Sequence, residues 1–176
     1  MYSAKTIVQT AIDTINGKYG KIYYKKDNQF QDDNEIYDMG YYHDGIWSFS
    51  CMYFVHAMVN GFCADTSKIG GGATIDSLFD ENSFLNRYCS IKGKFPISNL
   101  KPVSLLKMDT HVGLFIGDRV ENGRIINTAE ITTSMGYGGT FSWIDIDTGY
   151  RYSCKDGICL GLWTDWGEFD NVKYDF

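Results

Sequence analysis

Ala4, Ile7, Val8, Ala11, Ile12 and Ile15 recur at spacings of three and four, which puts them on one side of a helix. Ser3 can cap its start, and Gly17 stops it. The following stretch, KYGKIYYKKDNQFQDDNEIYDMGYYHDG, is polar and tyrosine-rich with no sustained period, and reads as a long loop with a short strand at 22–24. Apolar positions return in SFSCMYFVHAMVNGF. Met52, Val55, Ala57, Met58 and Val59 crowd several sides of one short helix, with Ser48 or Ser50 as its cap and Gly61 after it. A helix apolar on most sides belongs in the middle of a core. After the turn GGGATI, a moderately amphipathic pattern predicts a helix over 76–88. From there the period changes to two, with strands predicted at 105–107, 111–117, 124–133, 141–146, 150–153 and 158–163. Helices first and consecutive strands afterwards predict an α+β domain, its N-terminal helices packed on a central antiparallel sheet. No repeat or second domain is visible, so residues 1–176 are read as a single domain.

Composition changes this picture little. The chain is 44% hydrophobic and 22% charged, ordinary for a globular domain, but 16% aromatic with 13 Tyr, which suits a β-rich domain or a ring-lined groove. A net charge of -6 argues against a nucleic-acid partner. No apolar run reaches the ~20 residues of a membrane span. The start MYSAKTIVQTAIDTING reads as an amphipathic helix rather than a signal peptide, so the expected site of synthesis and storage is the cytoplasm. Five cysteines cannot all pair within one chain. Cys154 and Cys159 flank the turn KDGI and are read as two unpaired thiols, with a hairpin disulfide as the alternative. The three His and the scattered Cys supply no metal-ligand spacing, so no metal or cofactor is expected.

Cys51 opens the central helix, where unpaired first-turn N–H groups favour the thiolate, the nucleophilic form of cysteine. A catalytic thiol needs a base, and the base an orienting group. His56 lies five residues on, round another side of the helix, and His43 falls in a loop. His111 is better placed, since it begins the alternating strand HVGLFIG with Gly113 and Phe115 on its own side. If Gly117 pairs with Arg124 across GDRVENG, then Phe115 pairs with Ile126, Gly113 with Thr128 and His111 with Glu130. Opposed side chains lie about 5 Å apart at Cβ, which lets a carboxylate fix the imidazole tautomer on the face toward Cys51. The small Gly113 would leave room there for a helix end. Each residue alone is weak: free cysteines are usually buried and inert, and a strand His or Glu is usually structural. The order Cys at a helix start, His on a strand, acid on the next strand is much more specific.

Three segments with that order resemble the NlpC-type cell-wall peptidases, the papain-like cysteine hydrolases of peptidoglycan, and within them the branch encoded by phages and prophages of Gram-positive bacteria. SFSCMYFVHAMVNGF resembles the nucleophile helix, and HVGLFIGDRVENGRIINTAEITT the His strand, turn and third-residue strand. GLWTDWGEFDNVKY resembles the Trp-Thr-x-x-Gly ending, and GGGATI the Gly-Gly-Ala turn after the nucleophile helix. The resemblance implies a papain-like fold and an amide hydrolase with Cys51 as nucleophile, His111 as general base and then acid, and Glu130 as orienting residue. It also implies a tyrosine near the oxyanion, Tyr23 or Tyr24, and a groove that takes in Ser50, Trp47 and Tyr137. Ser50 stands where that family usually has Asp, and it can still cap the helix.

The function implied is cleavage of a stem-peptide amide in bacterial peptidoglycan, by an endopeptidase or amidase acting as a monomer. A phage endolysin stored in the cytoplasm and released to the wall is the leading form, and an interbacterial amidase effector its near relative. The alternative is a non-catalytic wall-binding module on the same fold, with Trp47, Tyr137, Trp143, Trp163 and Trp166 stacking on sugar or peptide rather than serving as packing.

Overall fold

The computed structural model describes residues 1–24, 41–43, 46–62, 81–132 and 138–176. Its elements run β1 (Tyr2–Ser3), α1 (Ala4–Ile15), β2 (Lys21–Tyr24), β3 (Tyr41–His43), β4 (Ile46–Phe49), α2 (Cys51–Val59) and α3 (Glu81–Tyr88), followed by strands only. These are β5 (Ile91–Lys94), β6 (Ser104–Met108), β7 (His111–Glu121), β8 (Arg124–Ile131), β9 (Gly139–Ile144), β10 (Tyr150–Ser153), β11 (Cys159–Leu162), β12 (Asp165–Glu168) and β13 (Val172–Lys173). Eight of them form one antiparallel sheet in the order β11-β10-β9-β8-β7-β6-β12-β5. The fold is therefore α+β, helices first and a mostly antiparallel sheet after them.

The helices obey local rules. Ser3 has extended backbone and its hydroxyl accepts from the Thr6 N–H, which starts α1, and Ala4, Ile7, Ala11 and Ile12 bury one side of that helix. Ser50 caps α2 in the same way, accepting from the Tyr53 N–H at 3.2 Å. All nine residues of α2 are buried, because the helix lies against α1, β4 and the sheet strands β7 and β8. Its partners on the sheet include Val112, Leu114, Ala129 and Ile131. The opposite sheet face has a second, smaller core of Leu100, Leu106, Phe115, Ile144 and Trp163.

The short strand expected at 22–24 is present as β2 (Lys21–Tyr24), while the pattern predicts neither β3 within the polar stretch nor β4 just before α2. Strand β4 pairs in parallel with β2 and antiparallel with β3. The segment GGGATI lies outside the described residues, as does the first part of the helix expected over 76–88, whose described portion is α3. Among the described residues no helix is long and apolar enough to cross a membrane.

The β7–β8 hairpin corrects the expected register. Glu121 pairs with Arg124, so the turn is Asn122–Gly123, with φ of 51° and 76°. Two residues at positive φ are what a two-residue hairpin of the right twist requires, and Asn-Gly is its usual sequence. Further in, Ile116, Gly117 and Asp118 stand against Asn127 alone, and beyond this bulge Phe115 pairs with Thr128 and Leu114 with Ala129. The Asn127 side chain holds the bulge, donating to Asp118 Oδ1 at 3.0 Å and to the Ile144 carbonyl at 2.9 Å. Continued outward, the register sets Gly113 rather than His111 opposite Glu130. The displacement is by two residues, an even number, so Glu130 keeps the same sheet face as His111.

Candidate active site

His111 is the first residue of β7, after the tight turn that pairs it with Met108 of β6. Alternation along β7 sends its ring to the side of Phe115 and Trp163, away from the face packed on α2. Being at the strand end, the ring is still close enough to the start of α2 for the Cys51 thiol to raise its pKa. Its Nε2 lies 2.5 Å from Glu130 Oε1. With Nε2 taken by Glu130, Nδ1 is the ring nitrogen left for Cys51. Helix start, strand end and neighbouring strand bring Cys51, His111 and Glu130 into one line.

Glu130 is fully buried. A buried carboxylate needs donors or a counter-charge, and this one has both. Arg151 of β10 grips it with two bonds, Nη2 to Oε1 at 2.7 Å and Nε to Oε2 at 3.0 Å. The Ser142 hydroxyl of β9 donates to Oε2. Burial by itself would raise the Glu130 pKa, but the bond and charge of His111 and those of Arg151 outweigh it and hold the carboxyl down at about 2. An ionised carboxylate only accepts, so the proton in the Glu130–His111 bond sits on Nε2. Burial alone would likewise lower the His111 pKa. The hydrogen bonds to Cys51 and Glu130, and the charges of both, push it up instead, to about 9.

Trp163 covers this array. Its ring stacks on His111 with centroids 5.5 Å apart at 25°, and the Arg151 guanidinium carbon lies 5.6 Å from the Trp163 ring centroid. Gly113 makes room for it: a Cβ there would meet Trp163 Cη2 at 3.0 Å and Glu130 Cγ at 3.4 Å. The space expected to receive a helix end is filled by an indole ring.

The other residues proposed from sequence fall elsewhere. Trp47 is core: it is buried, stacks on Phe49, packs edge-on to Phe62, and donates its indole N–H to the Tyr19 carbonyl at 3.0 Å. It lines no groove, because β4 turns it into the interior. Ser50 is buried as the helix cap. Tyr24 is part-buried against the main core, while the Tyr23 side chain and all of Tyr137 lie outside the described residues. Of the remaining tryptophans, Trp166 packs against the smaller core and Trp143 pairs with Tyr152 across β9 and β10. His56 is buried with Nε2 3.2 Å from the Tyr88 hydroxyl, and the His43 side chain is outside the described residues. Cys154 and Cys159 are free thiols. Among the described residues no group of His, Cys, Asp and Glu could hold a metal ion.

Two residues of the site escape a reading of the sequence, Ser142 and Arg151, and Trp163, named there only as a ring for sugar or peptide, stacks on His111 instead. Arginine is usually exposed, and nothing in the tetrapeptide YRYS marks Arg151 as buried. Alternation in the sequence points the other way, putting Tyr150 and Tyr152 inward, whereas the structure buries Arg151 and Ser153 and exposes Tyr150. No family model, curated protein or solved structure matches the chain.

Proposed function

We propose that this chain is a thiol hydrolase that cleaves an amide of the peptidoglycan stem peptide, with Cys51, His111 and Glu130 as its catalytic line. The single observation behind the chemistry is the His111 ring bonded through Nε2 to a fully buried Glu130, with the Cys51 thiol near enough to act on the same ring. The wall substrate rests on the likeness of the nucleophile helix, His strand and tryptophan-containing tail to the wall peptidases. Release from the cytoplasm to the wall, as a phage endolysin, belongs to the same reading.

Cys51 passes its proton to His111 Nδ1, the sulfur forms a bond to the amide carbonyl carbon, and the carbonyl oxygen gains negative charge beside the first-turn N–H groups of α2. His111 gives its Nδ1 proton to the departing nitrogen as the C–N bond breaks, leaving a thioester. A water then yields its proton to Nδ1 as it attacks the thioester carbon. The C–S bond breaks, a carboxylic acid leaves, and Cys51 is regenerated. Throughout, Glu130 holds the Nε2 proton so that Nδ1 remains the working nitrogen. Trp163 keeps water off that bond, and a drier bond is a stronger one.

The test is digestion of purified walls of several chemistries, with mass spectrometry of the fragments. A new chain end within the stem peptide, absent with Cys51→Ser, is the expected result. No released fragment from any wall type by the wild-type protein overturns the wall-hydrolase reading.

A further inference from the structure

Glu130 accepts four hydrogen bonds, of which orienting His111 uses one. Two of its four bonds come from Arg151, and a third from Ser142. Arg151 also lies over Trp163, which stacks on His111, which bonds Glu130. The four side chains close a circuit: His111 to Glu130 to Arg151 to Trp163 and back to His111. They come from β7, β8, β10 and the segment between β11 and β12, so the circuit ties strands that no single turn connects.

We propose that Arg151 is a positioning residue of the catalytic line, fixing the Glu130 carboxylate and the Trp163 ring so that His111 has one orientation, with Nε2–H held toward Glu130. The inference rests on the thiol-hydrolase reading for its catalytic consequence. Its physical content, coupling of Arg151 to His111, does not. A guanidinium suits this role better than an ammonium. Its planar fork takes both carboxylate oxygens at once, which stops the carboxylate rotating, and its flat face packs on indole. An arginine serving stability alone would leave kcat of a folded Arg151→Lys variant unchanged, whereas a positioning arginine would not. The titratable and charged groups around the ring are Cys51 from α2, Glu130 from β8 and Arg151 from β10, and the Cys154 thiol also feels the Glu130 charge.

The first experiment uses the wild-type protein. A ¹⁵N–¹H NMR titration should show the Arg151 Nε–H and the His111 ring nitrogens moving with one shared midpoint. The second compares Arg151→Lys and Arg151→Met. In Arg151→Met the imidazolium loses a repelling charge while Glu130 remains its partner, so the His111 midpoint should rise by about one pH unit. In Arg151→Lys the charge remains and the fork is lost. The midpoint should stay near the wild-type value while kcat on walls falls about tenfold at little-changed KM. An Arg151 Nε–H that ignores the His111 titration overturns the proposal, even if neither variant folds. So does a folded Arg151→Met with an unmoved midpoint. Wild-type protein that digests no wall overturns the hydrolase reading instead, and the NMR result still decides the role of Arg151.

Discussion

Glu130→Gln carries the largest consequence that can be worked from the geometry. Glutamine keeps one acceptor oxygen but presents an NH2 group where the carboxylate had a second oxygen. Oε1 now receives His111 and Arg151 Nη2, while Oε2 receives Arg151 Nε and Ser142. Either orientation of the amide therefore points N–H groups at donors. Arg151, 4% exposed, becomes a buried cation without its counter-charge. Breaking a buried pair from one side costs about 3–5 kcal/mol. In a domain of this size 1 kcal/mol moves the melting midpoint by about 2–4 °C, so the variant should melt roughly 6–20 °C lower. The assay is thermal unfolding followed by circular dichroism at pH 7, for wild type, Glu130→Gln and Glu130→Gln/Arg151→Met. The double variant removes both charges and should recover much of the loss, while remaining inactive. A single variant melting within about 2 °C of wild type would refute the reasoning, as would a double variant no more stable than the single one.

Three further expectations can be checked together. Gly113→Ala puts a methyl group 3.0 Å from Trp163 Cη2, so the ring should be pushed off His111, at about 1–3 kcal/mol, with a change in Trp fluorescence and a lower wall-digestion rate. Stability should be bounded on both sides of neutral pH. The Glu130 pKa falls from 4.5 to about 2 on folding, so its contribution is present above pH 4.5 and lost as pH drops toward 2. The His111 pKa rises from 6.5 to about 9, so its contribution is complete below pH 6.5 and lost as pH climbs through 9, and denaturant melts of Glu130→Ala should show a smaller alkaline decline, the part that remains coming from Cys51. Cys51 should be carboxymethylated by iodoacetamide ahead of Cys89, whose thiol burial pushes up to about 12, and ahead of Cys154, which burial also raises, as read by peptide mass spectrometry. Wall digestion should stop with that modification and persist in EDTA.

The sequence by itself determined what depends on short-range geometry. The apolar side of α1 follows from 3.6 residues per turn, and the Ser3 and Ser50 caps from a hydroxyl three residues before an unpaired N–H. The all-round apolar stretch after Cys51 is a central helix for the same reason. The shared face of His111 and Glu130 was legible even from a wrong turn, because an error of two residues preserves strand parity. The Asn122–Gly123 turn was written in the sequence too, but the compensating bulge was not, since it depends on Asn127 reaching Asp118 and β9. Only the tertiary structure decided what surrounds the line. Arg151 lies 21 residues from Glu130 and Ser142 lies 12 away, each delivered by its own strand register. Trp163 reads as one more aromatic until its segment is folded back over Gly113. A period of two tells which face a side chain takes, but not which strand will lie beside it. The pairing of β8, β9 and β10 supplies that, and with it the charge and the cover that Glu130 and His111 need to stay buried and ionised together.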